Sequence, residues 1–364
     1  MNKKIKKIGI LTGGGDAPGL NAVIRAATRT AILKYGLEVV GIKNGYRGLY
    51  LGQTMKLDMD AISGILPRGG TILYTSNKDN LFQYPFEEEG KTVYRDVSDV
   101  GIKNLKDAGI DAIIIIGGDG TLTSARDFAR KGVNVIGVPK TIDNDLASTD
   151  VTFGFDTAVA VATEALDRLH TTAESHHRIM CLEVMGRYAG WIALEAGIAG
   201  GADAILIPEI PYDIEKVAEK INDRRHDGKD FSLVVVAEGA KSKDGEMVVS
   251  KVVENSPDPI RLGGIGAKIA HDLEMIVGLE ARATILGHLQ RGGTPTAYDR
   301  ILSTRYGMAA VELIMEGKFG NMVTLKGNDM SYDSLENVIG KLKNVDPEGE
   351  LVRTAKGIGI SFGD

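Results

Sequence analysis

The sequence predicts an α/β fold with mostly parallel sheets, and three observations carry that prediction. Short apolar runs that end in glycine or proline alternate with helix-like stretches along most of the chain. Runs such as AIIII at 112–116 are continuously apolar instead of alternating, the mark of a strand covered on both faces. Carboxylates, arginines and glycines collect just after these runs, at the strand ends where open α/β sheets bind ligands. The runs fall into two groups, which fit two doubly wound, mostly parallel-sheet domains facing each other. A (β/α)8 barrel fits the same count, and no Pro/Ser-rich linker marks a boundary, so a division near residue 150 rests on grouping alone.

Taken in order, the first group comprises KIGILTGGG, LEVVGIKNG, DAIIIIGGDG and VNVIGVPKT, and the second RIMCLEVMG, ADAILIPEI, FSLVVVAEGA and ARATILGHL. Helical segments lie between them: residues 21–36, 100–109, 122–132, 156–173 and 213–228. The stretch from 328 to 364 is polar and weakly periodic, and is expected to form a peripheral cap outside the catalytic part.

The chain has 364 residues, 43% hydrophobic and 25% charged, enough for two domains or one large one. A formal charge of −6 argues against wholesale binding to nucleic acid or an anionic membrane, though a local basic pocket remains open. With a single cysteine, Cys181, there is no internal disulfide and no multi-cysteine metal site, so a cytoplasmic location is expected. Cys181 sits in the apolar run IMCLEVM and reads as a buried structural thiol. No run approaches the roughly 18 apolar residues of a membrane span, and MNKKIKK leads into KIGILTGGGD without the long apolar segment of a signal peptide. Glycine is the outlier at 46 residues, placed mainly in turns after apolar runs, which suggests backbone packed close to ligands.

Four stretches carry chemistry. In LTGGGDAPGLNAVIR (11–25) the glycines match neither a Rossmann fingerprint nor a Walker loop. Gly13, Gly14 and Gly15 permit close approach, and Asp16 or Asn21 can cap a following helix whose amides face an anion. A tight strand–helix turn explains the same residues. In GGDGT (117–121) the glycines turn sharply and leave Asp119 at a strand end, a candidate metal-holding carboxylate beside a phosphate. GVPKTIDNDL (137–146) brings Thr141, Asp143, Asn144 and Asp145 together, and in an extended segment the two aspartates point the same way. An Asx-rich turn that only caps a helix is the bland reading. Finally, Arg178, Arg187, Arg282 and Arg291 flank strand ends, with Gly186, His288 and Gln290 beside them; grouped guanidiniums recognise phosphate through forked hydrogen bonds. Glu238 follows a buried run and suits a sugar hydroxyl. His176 and His177 are adjacent, so they diverge and do not suggest a shared metal.

TGGGDAPGLNAVIR, GGDGT, PKTIDND, EVMGRYAG, PEI, AEGA and LGHLQRGG, in this order, resemble the 6-phosphofructokinase family across roughly residues 5–320. GGDGT alone is shared with other kinases; PKTIDND with MGRYAG and GHLQRGG is specific. The resemblance implies the phosphofructokinase fold, with the active site in an inter-domain cleft. It divides the chain into 1–154 with 290–340 for ATP and Mg²⁺, and 155–289 with 341–364 for fructose 6-phosphate. It implies a homodimer or homotetramer with shared active sites, and phosphoryl transfer from ATP to the sugar 1-hydroxyl.

Carried over residue by residue, it makes Asp143 the base, assisted by Thr141 and Arg187. Asp119 and Asp145 would hold the metal. Gly15, Tyr46, Asn77, Lys78, Gly118, Asp119, Gly120 and Thr121 would line the ATP site. Thr141, Asp143, Met185, Gly186, Arg187, Glu238, His288 and Arg291 would bind fructose 6-phosphate, with Arg178 and Arg282 reaching it from a neighbouring subunit. Gly120 and Lys140 bear on the donor: pyrophosphate users typically have aspartate at the first position and lysine at the second. An aspartate at 120 would fill the space of the α-phosphate, whereas Lys140 only adds a cation, so the residues favour ATP, with pyrophosphate as the alternative. A non-catalytic regulatory subunit is disfavoured because Asp119 and Asp143 are both present. Asn77 followed by Lys78 departs from the arginine common among ATP users. Met59, His170 and Asp227 replace basic residues of the family's effector pocket, while Arg25, Arg29 and Asp203 match it, so weak or absent regulation is expected there.

Overall fold

The computed structural model describes residues 5–77, 79–88, 90–243, 245, 247, 249–252 and 260–364. The chain begins β1 (Lys7–Thr12), α1 (Leu20–Tyr35), β2 (Glu38–Ile42), α2 (Gly45–Leu51), β3 (Thr54–Leu57), β4 (Tyr84–Glu88), β5 (Lys91–Arg95) and α3 (Ser98–Asp107). It continues through β6 (Ala112–Gly117), α4 (Asp119–Arg130), β7 (Val135–Pro139), α5 (Phe155–His176), β8 (Ile179–Val184), α6 (Trp191–Ala199), β9 (Ala204–Leu206), α7 (Ile214–His226) and β10 (Ser232–Ala237). It ends with β11 (Val249–Val252), β12 (Ile260–Leu262), α8 (Ile265–Val277), β13 (Ala281–Ile285), α9 (Ala297–Met315), β14 (Asn321–Lys326), β15 (Asp329–Ser334), α10 (Leu335–Val338) and α11 (Glu350–Gly357).

Among the described residues the main strands form two open sheets and no barrel, with β4-β5 and β11-β12 as separate two-stranded ribbons. The larger has the order β15-β14-β7-β6-β1-β2-β3, parallel except for its edge strands β3 and β15. The smaller, β13-β8-β10-β9, is wholly parallel. β6, β7, β8 and β10 are buried along their whole length, as expected of strands covered by helices on both faces. From β1 the chain winds outward to β2 and β3, then returns to β6 on the other side. The loops after β1 and β6 therefore diverge around a crevice, the place where such sheets take ligands.

The tail departs from expectation. Residues 329–334 add the edge strand β15, and at the other end Ser361 bridges to Ala204 in the smaller sheet while Phe362 is fully buried in its core. Helix α9 was not evident from periodicity because its apolar residues run all round it, wedged between α1 and the larger sheet. Cys181 is buried in β8, and burial pushes its thiol up to about 12, so it is a packing residue. Among the described residues no helix is long and apolar enough to cross a membrane.

Candidate active site

Glycines at the ends of β1 and β6 let the two loops close on one another. A Cβ at Gly13 would lie 2.6 Å from Thr121 Cγ2, and one at Gly117 would lie 2.3 Å from Thr121 Cβ, so only hydrogen fits at either place. The Gly13 amide donates to the Ile116 carbonyl at 2.9 Å, stitching the loops together. Neither Asp16 nor Asn21 caps α1. Its N-cap is Gly19 in the left-handed region, without a side-chain bond, because Asn21 turns away to bond Arg68, Gly69 and Ile72. The amides of the α1 N-terminus are thus not covered by a side-chain cap.

On this side lies a pocket of about 440 Å³, lined by Gly14, Gly15, Tyr46, Asn77, Lys140 and the run from Gly118 to Thr121. Gly120 and Thr121 belong to the first turn of α4, whose N-terminus favours an anion. A Cβ on Gly120 would meet nothing within 4 Å, so the space is open towards the pocket. The Tyr46 phenol, buried, donates to the Thr121 carbonyl at 2.7 Å and braces that turn. Lys140 is buried, and loss of water there, with Arg291 nearby, lowers its ammonium to about 8. Lys78 lies outside the described residues. Asp79, which no sequence pattern singled out, joins this pocket and contacts the Ser76 hydroxyl.

A second pocket, of about 500 Å³, is lined by Met185, Arg187, Glu238, His288 and Arg291 from the loops after β8, β10 and β13. Gly186 takes φ 136°, and its carbonyl accepts the Gly239 amide at 3.1 Å, so the two loops lie flat against each other. Gln290, fully buried, accepts the Met185 amide at 3.2 Å and fixes the third loop to the first. The Arg291 guanidinium reaches back to the Asp16 carbonyl at 3.2 Å and lies against Gly15, where a Cβ would sit 2.9 Å from it. Burial, with Asp143 and Glu183 close by, raises the Glu238 carboxyl to about 7.

The two pockets share Gly14, Gly15, Ser76, Asn77 and Asp143. Asp143 stands at their junction with its Oδ1 buried and without a hydrogen-bond partner among the described residues. The segment is a turn and not the extended stretch expected, since Asn144 adopts φ 52°. The Asp143 amide donates to the Thr141 hydroxyl at 3.1 Å. Burial raises both aspartates. Asp145 reaches about 6, with the negative charges of Asp143 and Asp119 adding to the effect. The charge of Asp119 thus reaches Asp145, but among the described residues no group of three or more His, Cys, Asp or Glu is placed to hold a metal by itself.

Arg178 and Arg282 are not brought into this cleft. Arg178 precedes β8 and Arg282 opens β13, at the opposite strand ends from Arg187 and Arg291, on the order of 20 Å away along the strands. Both pair with Glu280. Asp203 is committed as well, to Arg224 at 2.8 Å and the Leu233 amide at 2.9 Å.

The tail is no peripheral cap. The Gly340 amide donates to Asp119 Oδ1 at 3.0 Å, Leu342 bridges to Leu146, and the Lys343 amide donates to the Asp145 carbonyl at 2.8 Å. The Lys343 carbonyl accepts the Trp191 indole at 2.7 Å, and the Val345 amide bonds Glu209, which also holds the Gly190 amide. No local spacing in residues 340–345 could have revealed this, because the contacts span up to 221 positions of sequence.

Residues 7–314 match the family model described as phosphofructokinase. The chain is 72% identical, over the full length of both, to a Clostridium perfringens protein named ATP-dependent 6-phosphofructokinase 2. It is 49% identical, over 94% of this chain and 97% of the other, to an Amycolatopsis methanolica protein named pyrophosphate–fructose 6-phosphate 1-phosphotransferase. Among solved structures it resembles phosphofructokinase of Saccharomyces cerevisiae, with TM-score 0.77 and 32% identity over 91% of this chain; it spans 45% of that longer chain.

Proposed function

The chain belongs to the phosphofructokinase family, and from that membership we infer its reaction. It transfers a phosphoryl group from ATP to the 1-hydroxyl of fructose 6-phosphate, giving fructose 1,6-bisphosphate and ADP in glycolysis. The observation that carries our assignment of residues is the junction itself: Asp143, with a buried oxygen unpartnered among the described residues, is the carboxylate common to both pockets. Asp143 accepts the proton of the sugar 1-hydroxyl, which becomes acidic only as its bond to phosphorus forms, so position matters more than basicity. Thr141 holds the Asp143 backbone, while Lys140, Arg187 and Arg291 supply positive charge around the transferring group. Gly14, Gly15 and the α4 N-terminus offer backbone to the donor phosphates. Met185, Gly186, Arg187, Glu238, His288 and Arg291 bind the sugar phosphate.

Asp119 and Asp145 fit a hard divalent cation: they are oxygen donors, and burial with the negative charges of Asp143 and Asp119 raises the Asp145 carboxyl, an effect a bound cation would offset. We assign them Mg²⁺, which when bound would neutralise charge on the donor phosphates. The donor half is assigned to residues 1–154 and 290–340, and the acceptor half to 155–289 and 341–364; the membership of each strand in its sheet supports this division. The placement of Arg178 and Arg282 away from the cleft supports a homodimer or homotetramer in which they complete a neighbour's sugar-phosphate site. A cytoplasmic location accords with the reaction.

Gly120 decides the donor in this reading. Turnover of fructose 6-phosphate should be measured with ATP and with pyrophosphate, in wild type and Gly120→Asp. Wild type is expected to use ATP, and the variant, which has room for the side chain, to fold but lose at least about 10²-fold with ATP. Turnover with pyrophosphate alone would show that Lys140 sets the donor and that the ATP reading is wrong.

A further inference from the structure

We infer that Lys343, from the tail, is a positioning residue that fixes the general-base loop against the helix that follows the sugar-phosphate loop. The inference rests on Asp143 being the base.

The loop from 141 to 150 is held in a conformation that the chain does not adopt readily. Asn144 and Ser148 both lie in the left-handed region, at φ 52° and 64°, which asparagine tolerates better than serine but which neither favours without support from its surroundings. Lys343 holds the loop at Asn144, Thr149 and Asp150, while Asp333 bonds Ser148. The Lys343 ammonium donates to Asn144 Oδ1 at 2.8 Å, the Asp150 carbonyl at 2.7 Å and the Thr149 carbonyl at 3.1 Å. Three N–H groups meet three acceptors, so the ammonium is saturated.

The chain of bonds continues to the base. Asn144 Oδ1 also accepts the Thr152 amide at 3.1 Å, and the Thr152 hydroxyl donates to the Thr141 carbonyl at 2.7 Å. The hydroxyl of Thr141 in turn holds the Asp143 amide. On its other side the Lys343 backbone carbonyl accepts the indole N–H of Trp191, four positions beyond Arg187, and the Lys343 ammonium lies 5.7 Å from the centre of the Trp191 ring. One residue thus ties the loop bearing the base to the start of α6, the helix that follows the loop assigned to the sugar phosphate. Lys343 touches neither pocket: it lines neither the donor nor the acceptor cavity. Its removal therefore affects the placement of Asp143 without deleting a substrate contact.

Displacing a reacting group by about 1 Å costs roughly 10²-fold in rate, so Lys343→Met is expected to lower kcat by about 10- to 100-fold. KM for fructose 6-phosphate and for ATP should stay within about threefold, the split expected when only the transition state is affected. Rates are to be expressed per folded molecule, with folding followed by circular dichroism. Lys343→Arg keeps the charge but presents a planar fork in place of three convergent donors, and is expected to recover kcat in part, above the Lys343→Met value. If Lys343→Met does not fold, Lys343→Gln takes its place, with a loss of at least about fivefold in kcat expected from the shorter, neutral side chain. A folded variant that is less heat-stable yet turns over within about twofold of wild type would overturn the role, since a merely structural lysine would behave so. An equal rise in KM for fructose 6-phosphate with kcat unchanged would overturn it too. Asp143→Asn, run alongside, separates this idea from its premise. A loss of about 10²- to 10⁴-fold there, with Lys343→Met unaffected, removes the positioning role alone. Undiminished turnover in Asp143→Asn would remove the base assignment and the positioning role together.

Discussion

At the scale of single residues, the site keeps charged groups where burial disfavours them. Glu238 shows the consequence most directly. Its carboxyl titrates near 7 when folded, above the ordinary value of about 4.3 for an exposed glutamate, because burial and the nearby Asp143 and Glu183 disfavour the charge. A folded-state value above the unfolded one means that the folded chain binds the proton more tightly. The stabilising contribution is present below pH 4 and is lost as pH rises through 7. Glu238→Gln, which carries no charge, should therefore melt about 2–4 °C higher than wild type at pH 8, roughly 1 kcal/mol, with little difference at pH 5. It should bind fructose 6-phosphate more weakly, a trade of affinity for stability common at functional sites. Scanning calorimetry of the ligand-free enzyme at the two pH values checks this, and an equal gain at both would contradict it. Glu238 was recognisable in the sequence as a carboxylate after a buried strand; its raised titration was not, since Asp143 and Glu183 come to it only through the fold.

At the scale of elements, α7 and α9 are capped by their own N-cap side chains, whereas α5 takes its cap from another helix. Helix α5 begins after Gly154, which is in the left-handed region and has no side chain to cap with. The cap comes from α9: buried Asp299 accepts the Gly154 amide at 2.9 Å, the Thr157 amide at 2.8 Å and the Thr157 hydroxyl at 2.6 Å. Asp299→Ala leaves these donors unpaired and is expected to cost about 2 kcal/mol, read from the urea midpoint. A loss below about 0.5 kcal/mol would mean that water reaches the helix end instead. The same pattern accounts for the failure of Asp16 and Asn21 as caps of α1, where Asn21 is drawn away by the loop at 68–72. Local capping rules describe what a side chain can do, and tertiary competition decides which partner it takes.

At the scale of the whole molecule, the last residues close the structure. The chain leaves β15 at one edge of the larger sheet, passes the cleft at 340–345, and finishes beside β9 in the smaller sheet. There the Asp213 amide donates to the Gly363 carbonyl at 2.7 Å, and Phe362 fills the core with Val345, Val352 and Ile360. Phe362→Ala is expected to cost about 3–5 kcal/mol in equilibrium unfolding. A cost under about 1 kcal/mol would show that the closing contact is loose and that the smaller sheet stands without it.

The sequence by itself determined the α/β class, the parallel strands and the residues of the strand-end motifs. Continuous apolar runs, glycine turns and the charges that follow them are all local in the chain. Only the tertiary structure decided which strand ends meet, that Asp143 is the carboxylate common to both pockets, and that Arg178 and Arg282 stand apart from them. It also decided that the tail belongs to the cleft. The lysine at 343 has no local pattern to mark it, because its meaning lies in acceptors nearly two hundred positions earlier. Such long-range pairings depend on how the sheets pack and order their loops, which no window of sequence contains.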